Sequence, residues 1–113
     1  MGLTVRHGTD RLVVTLPARV DRRNASAVLD NLMRVLNVPT GRDCREVVLD
    51  LRETAFLDES GPWILSAVRR GAGLLHMHVS YEAADAHTRD VATEAGLAPT
   101  VDSNRPDLTL AAS

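Results

Sequence analysis

The strongest constraint on the fold of this chain is a short, almost continuous apolar run near its middle. Residues 46–51 read EVVLDL, and polar residues bound the run on both sides. A strand of this kind is typically buried on both faces, within a sheet that is covered by helices. We therefore expect an α/β protein in which helices pack against a β-sheet.

Helical periodicity precedes and follows this run. Before it, apolar residues recur at spacings of three and four and form one stripe of an amphipathic helix: Ala25, Val28, Leu29, Leu32, Met33 and Leu36. Asp21 or Asn24 can cap this helix, and residues 39–41 (PTG) are expected to end it. A third helix is expected over residues 83–95, with Gly96 as a left-handed cap.

Between these two, the chain predicts a second helix near Ser60. Pro62 suits a first helical turn, because a proline lacks only an N–H that has no partner there. The buried face is expected to hold four apolar residues, Ile64, Leu65, Ala67 and Val68, and the helix to end at residues 69–71 (RRG).

Several β-prone runs complete the expected sheet. Residues 4–7 and 11–16 predict a hairpin around residues 8–10 (GTD), and Pro17 stops the second strand. Residues 54–57 continue from the central strand towards a turn. Residues 74–79 predict a strand that places His76 and His78 on one face. Together with the central strand, these runs predict a mixed sheet of four or five strands.

Composition limits the possible functions. The 113 residues make one domain, expected to span residues 1–113. Only 3% are aromatic and the net charge is −2, which argues against direct binding of nucleic acid. Cys44 is the single cysteine, which excludes an internal disulfide and a Cys-only zinc site. With no apolar stretch of about 20 residues and no leader-like start, we expect a cytoplasmic protein without membrane insertion.

The most specific pattern lies in residues 47–61, VVLDLRETAFLDESG, where a buried strand runs through a loop into a Ser-Gly pair that opens a helix. This arrangement resembles the STAS domain, the fold of bacterial anti-sigma factor antagonists. In that family a V-L-D-L strand leads to a hydrophobic-Asp-Ser-Ser-Gly turn, whose serine before the glycine is phosphorylated. The resemblance therefore implies phosphorylation of Ser60, in a turn with Asp58, Glu59 and Gly61.

The resemblance extends over residues 11–97. Asp21 matches the last position of the family's Gly-Glu-(Leu/Ile)-Asp segment, and residues 95–97 (AGL) match its Thr-Gly-Leu. The chain also departs from the family pattern. Glu59 replaces the first serine of the pair, and Pro62 and Trp63 replace small or aliphatic residues. The second helix is expected to be about one turn shorter than in the family. The implied fold is a STAS-like sandwich, with helices mainly on one face of the mixed sheet.

The implied function is that of an anti-sigma factor antagonist. The unmodified form would bind an anti-sigma factor that is also a serine kinase, which frees a sigma factor. Phosphorylation of Ser60 would release the complex, and a phosphatase would reset it. The chain itself would catalyse nothing and need no cofactor, since ATP belongs to the kinase. The alternative is a non-phosphorylated STAS scaffold, or an accessory module of a transporter or stress complex.

The partner-binding surface is expected to comprise Asp21, Asp58, Glu59, Ser60, Gly61 and Trp63. Ser60 has a second interpretation as a helix cap, and Trp63 has one as a cover for the edge of the core. Asp58 and Glu59 make the turn negative, so the unmodified site is hypothesised to be partly pre-charged. The basic cluster of Arg19, Arg22 and Arg23 is either a solvated face or a docking surface.

Other chemistries find less support in the sequence. His76 and His78 could pair as zinc ligands on a strand, but spacing suggests no third ligand, so no metal is expected. A hydrolase triad on Ser60 is disfavoured because Asp58 stands where a nucleophile elbow needs a small residue. No phosphate-binding or dinucleotide-binding glycine pattern is present.

Overall fold

The structure is a computed structural model that describes residues 3–8, 11–37 and 45–100, and the statements below refer to these residues. Five strands form the main sheet, in the order β1-β2-β4-β6-β7, and β3 pairs with β5 in a separate ladder. The strands are β1 (Thr4–His7), β2 (Arg11–Thr15), β3 (Arg19–Val20), β4 (Glu46–Asp50), β5 (Ala55–Phe56), β6 (His78–Glu82) and β7 (Ala98–Pro99). The helices are α1 (Ala25–Asn37), α2 (Ser60–Leu74) and α3 (Ala86–Glu94).

The strand order decides where the helices lie. β1 and β2 are antiparallel, whereas β2, β4, β6 and β7 are parallel neighbours. Each of the three crossovers, through α1, α2 and α3, therefore moves in the same direction across the sheet. Crossovers of this kind are right-handed, so all three helices lie on one face. The predicted α/β fold, with a mixed sheet and helices on one face, is confirmed.

The core lies between that face and the helices. Alternate strand residues contribute to one buried cluster, which the helices complete: Leu12, Val14, Val47, Leu49, Val79 and Tyr81 from the sheet, with Leu32, Ile64, Leu65 and Val68 from α1 and α2. On the opposite face Val48 is also buried, between Val13 and Ser80 of the neighbouring strands. The expectation that residues 46–51 form a strand buried on both faces is therefore confirmed for β4.

The face of the sheet without helices carries a polar row at its end. Thr15, Asp50 and Glu82 are neighbours across β2, β4 and β6. The buried Asp50 carboxylate accepts hydrogen bonds from Arg52 Nε and Nη2, both at 3.0 Å. Hydrogen bonds from the Arg52 side chain lower the pKa of Asp50 most, while burial raises it. The backbone N–H of Arg52 also donates to Asp50, and the net effect is a pKa below the ordinary value.

Acid should weaken the fold through Asp50. Its folded pKa is lower than its unfolded value, which lies near 3.8. The carboxylate therefore contributes stability above the unfolded pKa, and this contribution is lost as pH falls through the folded pKa. We expect Asp50→Asn to flatten the decline of the urea midpoint below about pH 4, relative to the wild type. Asp30→Asn, at an exposed site on α1, controls for the loss of one carboxylate. If the urea midpoints of the wild type and of Asp50→Asn fall equally steeply below about pH 4, the proposed contribution of Asp50 to stability is contradicted.

The second helix is longer than the sequence predicts. It continues through Gly71 and Gly73 to Leu74, because Ala72 adds a fully buried contact one turn after Val68. Gly71 also serves the packing of α2 on α1, since a Cβ at this position would overlap the end of the Met33 side chain. The prediction that the helix ends at residues 69–71 is therefore wrong, and so is the prediction that it is about one turn shorter.

The third helix begins later than predicted. The Asp85 carboxylate accepts a hydrogen bond from Thr88 N at 2.7 Å and caps α3, which therefore starts at Ala86 and not at residue 83. Its packing is shallow, with Thr88 and Ala92 as its buried residues. Gly96 has φ 93°, as expected for a left-handed cap.

The strand expected over residues 74–79 is mostly wrong. Leu75 N, His76 N and Met77 N donate to carbonyls of the last turn of α2, which makes a left-handed helix end of the Schellman type. His76 holds the left-handed position, with φ 60°, and β6 begins only at His78. These N–H groups therefore bind carbonyl groups that have no partner within the helix. A helix end of this kind cannot be predicted from the alternation of apolar residues.

The left-handed histidine gives a test of this helix end. A non-glycine residue in this conformation is strained by roughly 1–2 kcal/mol, part of which the greater chain entropy of glycine offsets. We expect His76→Gly to raise the free energy of unfolding by about 0.5–1 kcal/mol in urea titrations. His78→Gly, within β6, should lower it. Equal or reduced stability of His76→Gly would contradict the left-handed assignment.

The first hairpin and the termini are accounted for only in part. β1 and β2 form the predicted antiparallel pair, with Gly8 N donating to Arg11 O at 2.7 Å, and β2 ends before Pro17 as expected. Some predictions lie outside the described residues: those for residues 9–10, for the end of α1 at 39–41, for Cys44 and for the tail.

Within the described ranges, every helix falls short of the length and hydropathy that crossing a membrane requires.

Candidate functional site

A two-stranded ladder brings the two loops of the candidate site together. In this parallel pair Arg19 faces Ala55 and Val20 faces Phe56, and Leu57 N donates to Val20 O at 3.0 Å. The chain leaves both strands at the same edge, so the turn after β3 lies beside the turn after β5. Two-residue strands have no measurable periodicity, which is why the sequence did not predict β3.

Asp58 connects the two turns. Its Oδ2 accepts a hydrogen bond from Arg22 N at 3.0 Å, and its Oδ1 accepts one from Ser60 N at 2.9 Å. The backbone N–H of Ser60 lowers the pKa of Asp58 most, followed by that of Arg22 and by the Ser60 side chain. Asp58 is therefore a carboxylate at neutral pH, and it ties the β3–α1 turn to the start of α2. We call this arrangement the Asp58 bridge.

Ser60 is the first residue of α2 and not its cap. The cap position belongs to Glu59, whose side chain makes no capping hydrogen bond. The Asp58 carboxylate instead accepts the Ser60 N–H at the helix start. The interpretation of Ser60 as an N-cap is therefore wrong. Ser60 is half-buried, so the residue is not enclosed by its neighbours.

A shallow depression surrounds this serine. It measures about 290 Å³ and is lined by Arg22, Asp58, Glu59 and Ser60. Two acidic residues and one arginine thus line the same depression as Ser60. Arg19 and Arg23 are exposed on the same β3–α1 side, so the predicted basic cluster lies next to the acidic turn.

Asp21 lies within the first of the two turns and organises it. Its Oδ1 accepts a hydrogen bond from Arg23 N at 2.8 Å, and its own N–H donates to Asn24 Oδ1 at 3.0 Å. Asn24 Nδ2 also donates to Arg19 O at 2.8 Å. Both side chains therefore stabilise the turn before α1, and this turn carries the Arg22 N–H that Asp58 binds.

Two large apolar side chains that are close to Ser60 in the chain are exposed. Leu57 is 51% exposed and Trp63 is 50% exposed. Half of the Trp63 surface is thus available, and the residue also follows Ser60 within the first turn of α2. Two exposed apolar residues beside a polar turn form a surface on which a partner can bury area.

Gly61 contributes to the site by its size. It is buried, and a Cβ at this position would lie 2.7 Å from Cγ and Cδ1 and 2.8 Å from Cβ of Phe56. Glycine therefore lets the start of α2 approach β5 closely, which fixes where Ser60 lies. The structure places Asp21, Asp58, Glu59, Ser60 and Gly61 in and beside the two turns that the Asp58 bridge connects.

The histidine pair is not arranged as expected. His76 lies in the left-handed end of α2, whereas His78 opens β6, so the two do not share a strand face. Across the ranges that the structure describes, no three His, Cys, Asp or Glu side chains are grouped in a way that could hold a metal ion.

Comparisons with solved structures assign the fold. The chain is similar to the anti-sigma factor antagonist SpoIIAA in its unphosphorylated form, with a TM-score of 0.65 and 12% identity over 88% of each chain. A STAS domain protein from Planctomyces limnophilus gives a TM-score of 0.66 and 14% identity over 86% of each chain. The fold is that of the STAS domain.

Phosphorylated Bacillus SpoIIAA shares this fold, with a TM-score of 0.63 and 11% identity over 90% of this chain and 94% of that one. The STAS fold has thus been observed with and without a phosphoryl group in SpoIIAA. No protein-family model and no curated protein sequence matches the chain.

Proposed function

We propose that this chain is a bacterial anti-sigma factor antagonist that works in the cytoplasm by partner switching. The unmodified form binds an anti-sigma factor that is also a serine kinase, and a sigma factor is freed. Phosphorylation of Ser60 dissociates the complex, and a phosphatase restores the unmodified form. The observation that carries the proposal is the half-exposed Ser60 at the start of α2, in a STAS fold, with its N–H held by Asp58.

The surroundings of Ser60 suit a phosphoacceptor. The residue lines a depression that is open to a kinase, and the neighbouring Asp58 carboxylate accepts a hydrogen bond from its backbone N–H. In the reaction the Ser60 oxygen attacks the γ-phosphorus of the ATP held by the kinase. ADP leaves, and the hydroxyl proton is released to a base. This chain supplies the acceptor and catalyses nothing.

The phosphoryl group would act mainly on the surface. It adds a charge of about −1.5 to −2 beside Asp58 and Glu59, and like charges in contact repel. The Asp58 bridge is weakened as a result, whereas the N-terminus of α2 and the Arg22 guanidinium favour the new charge. The helix is therefore retained, and the local change falls on the turns that contact the partner.

The partner surface follows from the same geometry. We infer that Trp63 and Leu57 bury their exposed area against apolar residues of the kinase, with Trp63 as the larger anchor. Asp21, Asp58 and Glu59 give the surface an acidic side, and the basic cluster of Arg19, Arg22 and Arg23 gives it a basic one. Unmodified Ser60 lies between them, where an added dianion would have to be desolvated on binding.

Phosphorylation itself is the decisive test. The protein is incubated with ATP and with each anti-sigma kinase encoded near it, and the product is mapped by tandem mass spectrometry. We expect one phosphate on Ser60 and none on Ser60→Ala. Ser66→Ala, at a half-buried serine of the same helix, is the matched control and should be modified like the wild type. Absence of phosphate on Ser60 with every kinase would favour the scaffold or accessory module.

A further inference from the structure

A second depression lies at the other end of α2. It measures about 410 Å³, and its lining includes Arg69, Arg70, Met77, His78, Gly96 and Ala98. Its arginines follow Ser60 by nine and ten residues, which is about 14 Å along a helix. It is therefore separate from the proposed phosphorylation site, and nothing in the partner-switching proposal uses it.

The charged side chains that line this depression are basic. Two guanidinium groups and one imidazole line it, and no carboxylate is among the lining residues. In the described part of the chain, the arginines found in ion pairs are Arg11 and Arg52, not Arg69 or Arg70. Glu46, the neighbour of His78 across the sheet, is bound by Arg11 and Ser80 at 3.1 and 3.0 Å. The two guanidinium groups are thus left for a ligand.

One of these arginines contacts the end of α3. A Cβ on Gly96 would lie 3.0 Å from Arg69 Nε, so the Arg69 side chain rests directly on the left-handed glycine that ends α3. Glycine permits this approach, and the carbonyl end of α3 favours a positive charge there. Preorganisation of a guanidinium group lowers the entropy that binding an anion costs.

The depression also has apolar lining residues. Met77 and Ala98 lie beside the arginines, and the volume falls in the range of small-molecule sites. We propose that this depression binds a small soluble organic phosphate. Its phosphate contacts Arg69 and Arg70 through charge-assisted hydrogen bonds, and its apolar part lies against Met77 and Ala98. This proposal does not depend on the modification of Ser60.

Titration of the ¹⁵N-labelled full chain with phenyl phosphate tests the site by NMR. We expect shift changes at residues 77–79 and 96–98 and a dissociation constant of about 1 mM or tighter. The Arg69→Gln and Arg70→Gln double variant should bind at least about tenfold more weakly. Arg89→Gln, at an exposed position on α3, is the matched control and should bind like the wild type. Ser60→Ala should also be unaffected.

Three further probes separate the possible ligands. Inorganic phosphate and benzyl alcohol should each bind more weakly than phenyl phosphate, because each offers only one of the two contacts. Equal binding of inorganic phosphate would contradict the apolar contribution. Equal affinity of the double variant for phenyl phosphate, or binding only to vesicles that contain phosphatidic acid, would overturn the proposal of a soluble ligand at this site.

Discussion

Ser60→Asp is expected to bind the anti-sigma kinase about 100-fold more weakly than Ser60→Ala, a difference of about 2.7 kcal/mol. The added carboxylate must be desolvated beside Asp58 and Glu59 in the complex, and like-charge contacts of this kind cost several kcal/mol. Ser60→Ala keeps the backbone N–H that Asp58 accepts, so its affinity should be close to that of the wild type. Isothermal titration calorimetry with the purified kinase measures both variants.

Two controls locate the effect. Ser66→Asp places the same charge on α2 but away from the depression, and it should retain most of the affinity. Trp63→Ala should weaken binding if the indole is the anchor, without a change in the phosphorylation of Ser60 by a kinase added in excess. Indistinguishable affinities of Ser60→Asp and Ser60→Ala would eliminate the switch and leave the scaffold interpretation.

Gly61→Ala should destabilise the domain by about 1–3 kcal/mol, the usual cost of overpacking. The new methyl group would meet Cβ and Cγ of Phe56, and neither atom is at the flexible end of that side chain. The start of α2 must move away from β5 or the ring must shift. Urea titration followed by circular dichroism gives the free energy of unfolding.

Gly73→Ala is the matched control on the same helix. A Cβ at this position has no neighbour within 4 Å, so alanine should raise the stability by about 0.5–1 kcal/mol through helix propensity. Opposite signs for the two glycines are the expected result. A Gly61→Ala protein as stable as the wild type would show that α2 does not need the close approach that the structure describes.

Much of the fold follows from local pattern. The run at residues 46–51 predicted β4, and the stripe before it predicted α1, because burial on two faces and burial on one face leave different periodicities. The errors have a common cause. Contacts and caps decide where a helix ends. Apolar alternation therefore predicts a strand for residues 74, 75 and 77, although they belong to the end of α2 and the turn that follows.

The candidate site was predicted in outline. The order of residues, Asp58 to Gly61, indicated a polar turn that opens a helix, and the resemblance added the phosphoacceptor role of Ser60. The sequence did not predict the Asp58 bridge, since Arg22 and Asp58 are 36 residues apart. No short-range pattern links them, and their contact depends on the two-residue ladder of β3 and β5.

The α/β class, the central strand and the helix that Ser60 opens are all predictable from the sequence, because their periodic burial depends on residues that are close together in the chain. Only the assembled domain brings the Arg22 N–H to the Asp58 carboxylate, which connects the two turns of the candidate site. It also places Arg69 against Gly96 at the opposite end of α2. Both depend on segments that are distant in the chain and meet only when parallel strands and their right-handed crossovers have been assembled.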